Sequence, residues 1–215
     1  MRNLALLAGL LVMALTMTAL PMTATAATPA AKPDPMAIPV ASDMAMGSPT
    51  AKVTIIEYGS VACPFCAHFN ETVLPELKAK YIDTGKVRYI YRPMLTGVMS
   101  IAMAGELMAE CAGKDKYFSV VDAVMRGQHQ FYAMGENDML ARPVLLHIAS
   151  TVGMDQAAFT ACTTNPAAYK ALMARYNGYL DAGVTSTPTL YLNGQPFEYK
   201  GNGISEFDAA IAKVK

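Results

Sequence analysis

The sequence predicts an α/β fold: a strand–helix–strand unit, a helical insertion, and a closing hairpin and helix. Three observations predict it. The β-rich run Val53 to Tyr58 leads straight into an amphipathic helical pattern, and a second β-rich run, Val87 to Tyr91, follows. Between Thr96 and Asp181 there are helical stretches and no convincing strand. The chain then returns to strands around the turn pair Asn193-Gly194 and ends in one more helix.

With 215 residues, 53% hydrophobic and 16% charged, the chain is long enough for one sizeable domain with a substantial core. Part of the apolar excess belongs to the N-terminus. Met1-Arg2-Asn3 is a short positive end, residues 4–20 are an apolar run, and Ala24-Thr25-Ala26 is a small-residue pattern suited to cleavage. This is the layout of a secretory signal peptide over residues 1–26, cut near Ala26 or Ala27. An uncleaved membrane anchor is the alternative, against which the threonines and small residues argue, so no stable membrane insertion is expected after cleavage. Lys and Arg number 17, as do Asp and Glu, and removing Arg2 leaves 16 against 17, a net charge of −1. No global field invites nucleic acid or an anionic surface. In an exported chain an even count of four cysteines points to disulfides, with three pairings open.

Residues 27–49 read as an N-terminal arm and linker, rich in Ala, Pro, Ser, Met and Lys, with little regular structure expected. Met36, Met44 and Met46 are irregularly spaced and lack a nearby His, which favours an unstructured tail over a metal tract. Val53 to Tyr58 is apolar on both faces apart from Glu57, as in a central strand covered by helices on each side. Gly59 to Ala62 form a turn, Cys63 takes the N-cap region, and Pro64 fits the first helical position, where its missing N–H costs nothing. The helix is predicted to about Tyr81, with Cys66, Phe69, Val73, Leu77 and Tyr81 on one stripe; this buries Cys66 and leaves Cys63 at the exposed tip. Pro75 inside it would cost roughly 3 kcal/mol unless the helix bends, so a bend is predicted just before it.

Asp83 to Lys86 make a turn, and Val87 to Tyr91 a second strand ended by Pro93, parallel to the first through a right-handed crossover. Helices over residues 99–111, 116–126, 138–150, 155–162 and 166–182 form an insertion at about 96–182, within a domain spanning 50–215. The methionines at 94, 99, 103, 108, 125, 134 and 139 read as core filling. Thr189 to Leu192 and Gln195 to Tyr199 pair as a hairpin, with Pro196 placing the second strand at a sheet edge. The last helix starts at Ser205 with Asp208 as its capping-box partner and carries Phe207, Ile211 and Val214 on one face.

Cys63-Pro64-Phe65-Cys66 carries the chemistry, because two cysteines three residues apart can close a disulfide across one helical turn. A helix N-terminus offers unpaired N–H groups and partial positive charge, which favour thiolate over thiol. A structural disulfide or half a zinc site are the alternatives. Zinc would need two more ligands, and neither a second CxxC nor a His pair at ligand spacing is present, so no metal is expected. Glu57, on a doubly covered strand, should have its pKa raised by burial and can relay a proton to Cys66; a solvated, edge-facing glutamate is the alternative. His68, His129 and His147 read as ordinary helix or loop residues.

Gly47-Ser48-Pro49, Glu57 six positions ahead of Cys63, the CPFC motif, and Gly183-Val184-Thr185-Ser186-Thr187-Pro188-Thr189 ahead of Asn193-Gly194 together carry a resemblance. From Gly47 to Lys215 the chain resembles the thioredoxin fold with an inserted helical subdomain, as in the DsbA family of exported thiol:disulfide oxidoreductases. The resemblance implies a periplasmic enzyme exchanging disulfides with unfolded or partly folded exported proteins, reset by a membrane redox partner. It implies no cofactor beyond the redox-active Cys63–Cys66 disulfide. The mixed disulfide would form on Cys63, which is the leaving group in one direction and the attacking group in the other, and Cys66 would resolve it. Pro188 would be cis and lie beside the disulfide. Thr187, Pro188, Pro64 and Phe65 would contact substrate, the Thr187 backbone pairing with an extended peptide without reading its side chains. The family also has an acidic residue at the position of Glu57. Its best-known motif has His where Phe65 stands here, and losing that positive neighbour leaves the direction of exchange open. An oxidase is the first reading. A disulfide isomerase or reductase kept reduced by a membrane partner is the second, and a copper-binding thiol protein using Cys63, Cys66 and Met side chains the third. The arm is too short and Pro-rich for an oligomerisation helix, so a monomer is expected. Some members of the family carry a second disulfide in the insertion, and Cys111 and Cys162 are paired here, with two buried free thiols as the alternative. Such a bridge would stabilise the fold by roughly 4 kcal/mol in the chain-entropy model.

Overall fold

Residues 35–133 and 138–214 are described by the computed structural model; the expected signal peptide and the start of the arm lie outside the described residues. Five strands, β1 (Met44–Met46), β2 (Val53–Gly59), β3 (Val87–Pro93), β4 (Thr189–Leu192) and β5 (Gln195–Phe197), form one sheet in the order β1-β3-β2-β4-β5. β2 is therefore central, parallel to β3 and antiparallel to β4, with Glu57 opposite Tyr91 on one side and Leu190 on the other. Period-two alternation splits β2 between two apolar layers. Ile55 packs with Tyr89, Tyr91 and Leu190 on one face, while Ile56 and Tyr58 pack with Ile90, Met94 and Tyr191 on the other. Ile55 and Ile56 are both essentially solvent-free, and each such side chain contributes about 1.5–3 kcal/mol of transfer energy.

The helices are α1 (Pro64–Thr72), α2 (Leu74–Leu77), α3 (Met99–Cys111), α4 (Tyr117–Arg126), α5 (Gln128–Ala133), α6 (Asp138–Thr151), α7 (Gln156–Thr163), α8 (Pro166–Asp181) and α9 (Ile204–Ile211). The helix after the motif stops at Thr72, restarts at Leu74 with Pro75 in its first turn, and continues as a π-helical segment over Lys78–Ile82. Pro75 has no N–H to offer the preceding turn, so the break falls at Val73. The bend predicted just before Pro75 is therefore found there as a full break, and the stretch to Tyr81 is in three pieces, although Cys66, Phe69, Val73 and Leu77 still line one buried stripe.

The arm is also corrected. Residues 44–46 pair antiparallel with Tyr89 to Tyr91, so the sheet extends into the stretch expected to lack regular structure. The chain before β1 is strapped down by Arg92, whose guanidinium forms a two-pronged ion pair with Asp43 (2.8 and 3.0 Å) and donates to the carbonyls of Met36 and Ile38 and to the Tyr58 hydroxyl. Both charged side chains are about 95% or more buried, where such a pair survives only with all its hydrogen bonds made. Asp208 is not a capping-box partner: it binds Lys80 and the Tyr81 hydroxyl, while Glu206 takes the backbone N–H groups of Lys200 and Asn202 ahead of α9. Of the methionines assigned to the core, Met94, Met108 and Met125 are buried, Met103 is half-buried and Met99 is exposed, whereas Met134 and the Met139 side chain lie outside the described residues. Among the described residues no helix is long and apolar enough to cross a membrane.

Candidate active site

The C-terminal end of β2 delivers the chain into a tight turn that ends on Cys63, the N-cap of α1, with Pro64 at N1. The turn is fixed from three sides. The Cys63 N–H donates to the Ser60 carbonyl (3.0 Å), Gln128 of α5 donates to the carbonyls of Val61 (2.7 Å) and Cys63 (3.1 Å), and the Tyr132 hydroxyl donates to the Ala62 carbonyl (2.7 Å). Sequence reasoning missed Gln128 and Tyr132, because α5 is short and polar and neither residue shares a spacing motif with the cysteines.

Cys63 and Cys66 are both free thiols. Cys63 is only 7% exposed, which corrects the expectation of an exposed tip; the tip is Phe65, at 74%. The loop bearing the cis Thr187–Pro188 bond covers Cys63, whose thiol donates to the Thr187 carbonyl (3.4 Å). Hydrogen bonding with Cys66 holds the Cys63 pKa down to about 5; burial opposes this, and the Thr187 side chain and the backbone N–H groups of Cys66 and Phe65 reinforce it. The thiolate is thus stabilised with no positive side chain at position 65. Cys66 is pushed the other way, first by burial, then by its bond with Cys63 and the charges of Glu57 and Cys63, against one N–H from Ser60 (3.4 Å).

Glu57 is buried, not solvated, and shares the sheet face of Ile55. Burial lifts its pKa to about 7, partly offset by the Tyr89 hydroxyl that donates to Oε2 and reinforced by Cys63. Its Oε1 has no hydrogen-bond partner among the described residues, and Glu57 lines a cavity of about 280 Å³ together with Asn70, Lys78, Asp122 and Arg126. A second buried acid went unread in the sequence. Glu106 of α3 accepts from the hydroxyls of Tyr117 (3.0 Å) and Tyr91 (3.2 Å), and burial raises its pKa to about 8.

On the outer side, Phe65, His68, Pro188, Leu190, Phe197 and Tyr199 line a groove of about 560 Å³ beside the motif. His68 is exposed there, while Pro64 is exposed at the helix tip. A disulfide joins Cys111 at the end of α3 to Cys162 of α7, 51 residues apart; Cys162 is buried and Cys111 exposed.

The family model described as thioredoxin matches residues 40–213. A Rickettsia bellii protein with the provisional name protein-disulfide oxidoreductase is 29% identical over 177 residues, covering 81% of this chain and 66% of that one. A Bacillus cereus protein named as a probable disulfide bond formation protein D is 33% identical over 90 residues, 40% of this chain and 41% of that one. The chain thus spans less than two-thirds of these curated relatives. Among solved structures, alpha-DsbA1 of Wolbachia pipientis superposes with a TM-score of 0.70 at 23% identity, covering 85% of this chain and 96% of that one.

Proposed function

This chain belongs to the thioredoxin family, and on that premise we propose that it is a thiol:disulfide oxidoreductase that introduces disulfides into exported proteins in the periplasm. The opposed acidities of the two sulfurs support this most strongly: Cys63 is held near 5 while Cys66 is pushed above its ordinary value. A dithiol with a stabilised thiolate is the favoured product of reduction, which makes the disulfide form an oxidant. The Cys63 value lies between the roughly 7 of thioredoxin and the roughly 3.5 of DsbA.

A client thiolate attacks the Cys63 sulfur of the Cys63–Cys66 disulfide; the S–S bond breaks and its electron pair leaves on Cys66. Cys66, strongly basic as a thiolate, takes a proton, and Glu57 is the acid we propose to give it: its charge is felt by Cys66 and its carboxyl stays partly protonated near neutral pH. The client's second thiolate attacks its own sulfur in the mixed disulfide and expels Cys63 as a stable thiolate. The client has lost two electrons and the enzyme has gained them. The Thr187 and Pro188 backbone and the groove beside Phe65 offer an extended client a surface that reads little sequence. A membrane redox partner then reoxidises the pair.

Cys63→Ser is expected to abolish oxidation of a reduced two-cysteine protein, and full activity in that variant would contradict the reading. Export is tested by the mass of the protein recovered from the periplasm, expected to begin at residue 27 or 28.

A further inference from the structure

The two sulfurs belong to a ring of hydrogen bonds that runs outside the motif. Ser60 gives its N–H to Cys66 Sγ (3.4 Å) and its hydroxyl to the Thr96 carbonyl (2.8 Å). The Thr96 and Thr187 hydroxyls lie 2.5 Å apart, the Cys63 thiol meets the Thr187 carbonyl, and the Thr187 side chain helps hold the Cys63 pKa down. Thr96 is held in place by its neighbour as well. Gly97 has φ 81°, and a Cβ there would sit 2.2 Å from the Ala62 carbonyl oxygen, so the loop after β3 lies against the active-site turn in a way only glycine permits.

Each hydroxyl has one proton to give, and it rotates to suit its surroundings. The Thr187 proton has two possible acceptors, Thr96 Oγ1 and the Cys63 sulfur. When Cys63 carries charge, the sulfur is the stronger acceptor. Thr187 can then serve it only while Thr96 supplies the proton in the contact between the two hydroxyls. We propose that Thr96 is a positioning residue: its hydroxyl donates to Thr187 Oγ1 and so commits the Thr187 proton to the Cys63 thiolate. The pair of hydroxyls turns over when Cys63 loses its charge on entering a disulfide. Hydrogen bonds in such a chain polarise one another, which strengthens the one that ends on the anion.

This deepens the proposed reading of the same site, yet it is tested without any client. The thiolate absorbance of Cys63 is titrated in the reduced wild type, Thr96→Val, Thr96→Ala, Thr96→Ser, Thr187→Val and the Thr96→Val/Thr187→Val double variant. Cys66 and Glu57, the titratable groups that interact with Cys63, are unchanged throughout. Thr96→Val and Thr96→Ala are expected to raise the Cys63 pKa by about one unit, about a tenfold loss of thiolate at a pH below both values. Thr96→Ser is expected to restore it, and Thr96→Val is expected to add nothing once Thr187 is Val. An unchanged pKa in folded Thr96→Val and Thr96→Ala would overturn the proposal, as would an undiminished shift on the Thr187→Val background. A wild type that fails to oxidise clients would instead count against the proposed function while leaving this titration readable.

Discussion

At the scale of single residues, the site depends on three acids with displaced pKa values within one small volume: Cys63 down, Cys66 up and Glu57 up to about 7. Glu57 cannot stabilise Cys66 by charge, since both are anionic when deprotonated; the role proposed for it is that of a proton source. Glu57→Gln is expected to slow reduction of the Cys63–Cys66 disulfide by about tenfold or more and to erase the inflection near pH 7 in its pH–rate profile. Stopped-flow measurements across that range check it, and a retained inflection would assign the titration to another group. The CPFC motif, Glu57 and the Thr187-Pro188 pair were legible in the sequence because their chemistry is written in local spacing. Ser60, Thr96, Gln128 and Glu106 were not, because their relevance comes from tertiary partners; Gln128, for instance, binds a carbonyl 67 positions away. Phe65 supplies no positive charge, and backbone N–H groups and two side chains hold the thiolate instead.

At the scale of elements, the errors share a physical cause. β1 is only three residues long, too short for a periodic signal, and is defined by its pairing with β3 and by the Arg92–Asp43 ion pair behind it. Asp43→Ala would leave Arg92 buried without its counter-charge and is expected to cost about 3–5 kcal/mol, read as a lower urea midpoint. A loss under 1 kcal/mol would mean that the strap contributes little. The interruption just before Pro75 was legible from the proline itself, but the full break and the π-helical stretch beyond it were not, because a stripe records which face is buried and not whether the backbone hydrogen bonds are continuous. In the insertion, the disulfide links α3 to α7 around a 51-residue separation, and Cys111→Ser/Cys162→Ser is expected to lower stability by about 4 kcal/mol. Because neither bridge cysteine is among the groups that shift Cys63, its titration should be unmoved in that variant at temperatures where it stays folded.

At the scale of the whole molecule, the buried acids couple folding to pH with opposite signs. Glu57 and Glu106, raised to about 7 and about 8, keep protons in the folded chain that the unfolded chain has released. Their contribution is full below about pH 4.5 and is lost as pH rises through 7 to 8. Cys63 acts only in the reduced protein and in reverse, with a contribution complete above about pH 9 and lost as pH falls toward 5. Reduced and oxidised forms should therefore diverge in stability by about 1.4 kcal/mol per pH unit between these limits, in favour of the reduced form at higher pH. Paired urea titrations at pH 6 and 8 check this. The overall architecture was legible because strand order, crossover and insertion follow from the order of apolar runs, whereas the polar interior, with Glu57, Glu106, Tyr89 and Tyr91, emerges only when the layers close. The central claim is that this interior makes Cys63–Cys66 an oxidant. Equilibration with glutathione buffers, reading the reduced fraction of the pair, tests it most directly. A potential between the roughly −270 mV of thioredoxin and the roughly −120 mV of DsbA is expected, and a value at or below that of thioredoxin would contradict an oxidising role.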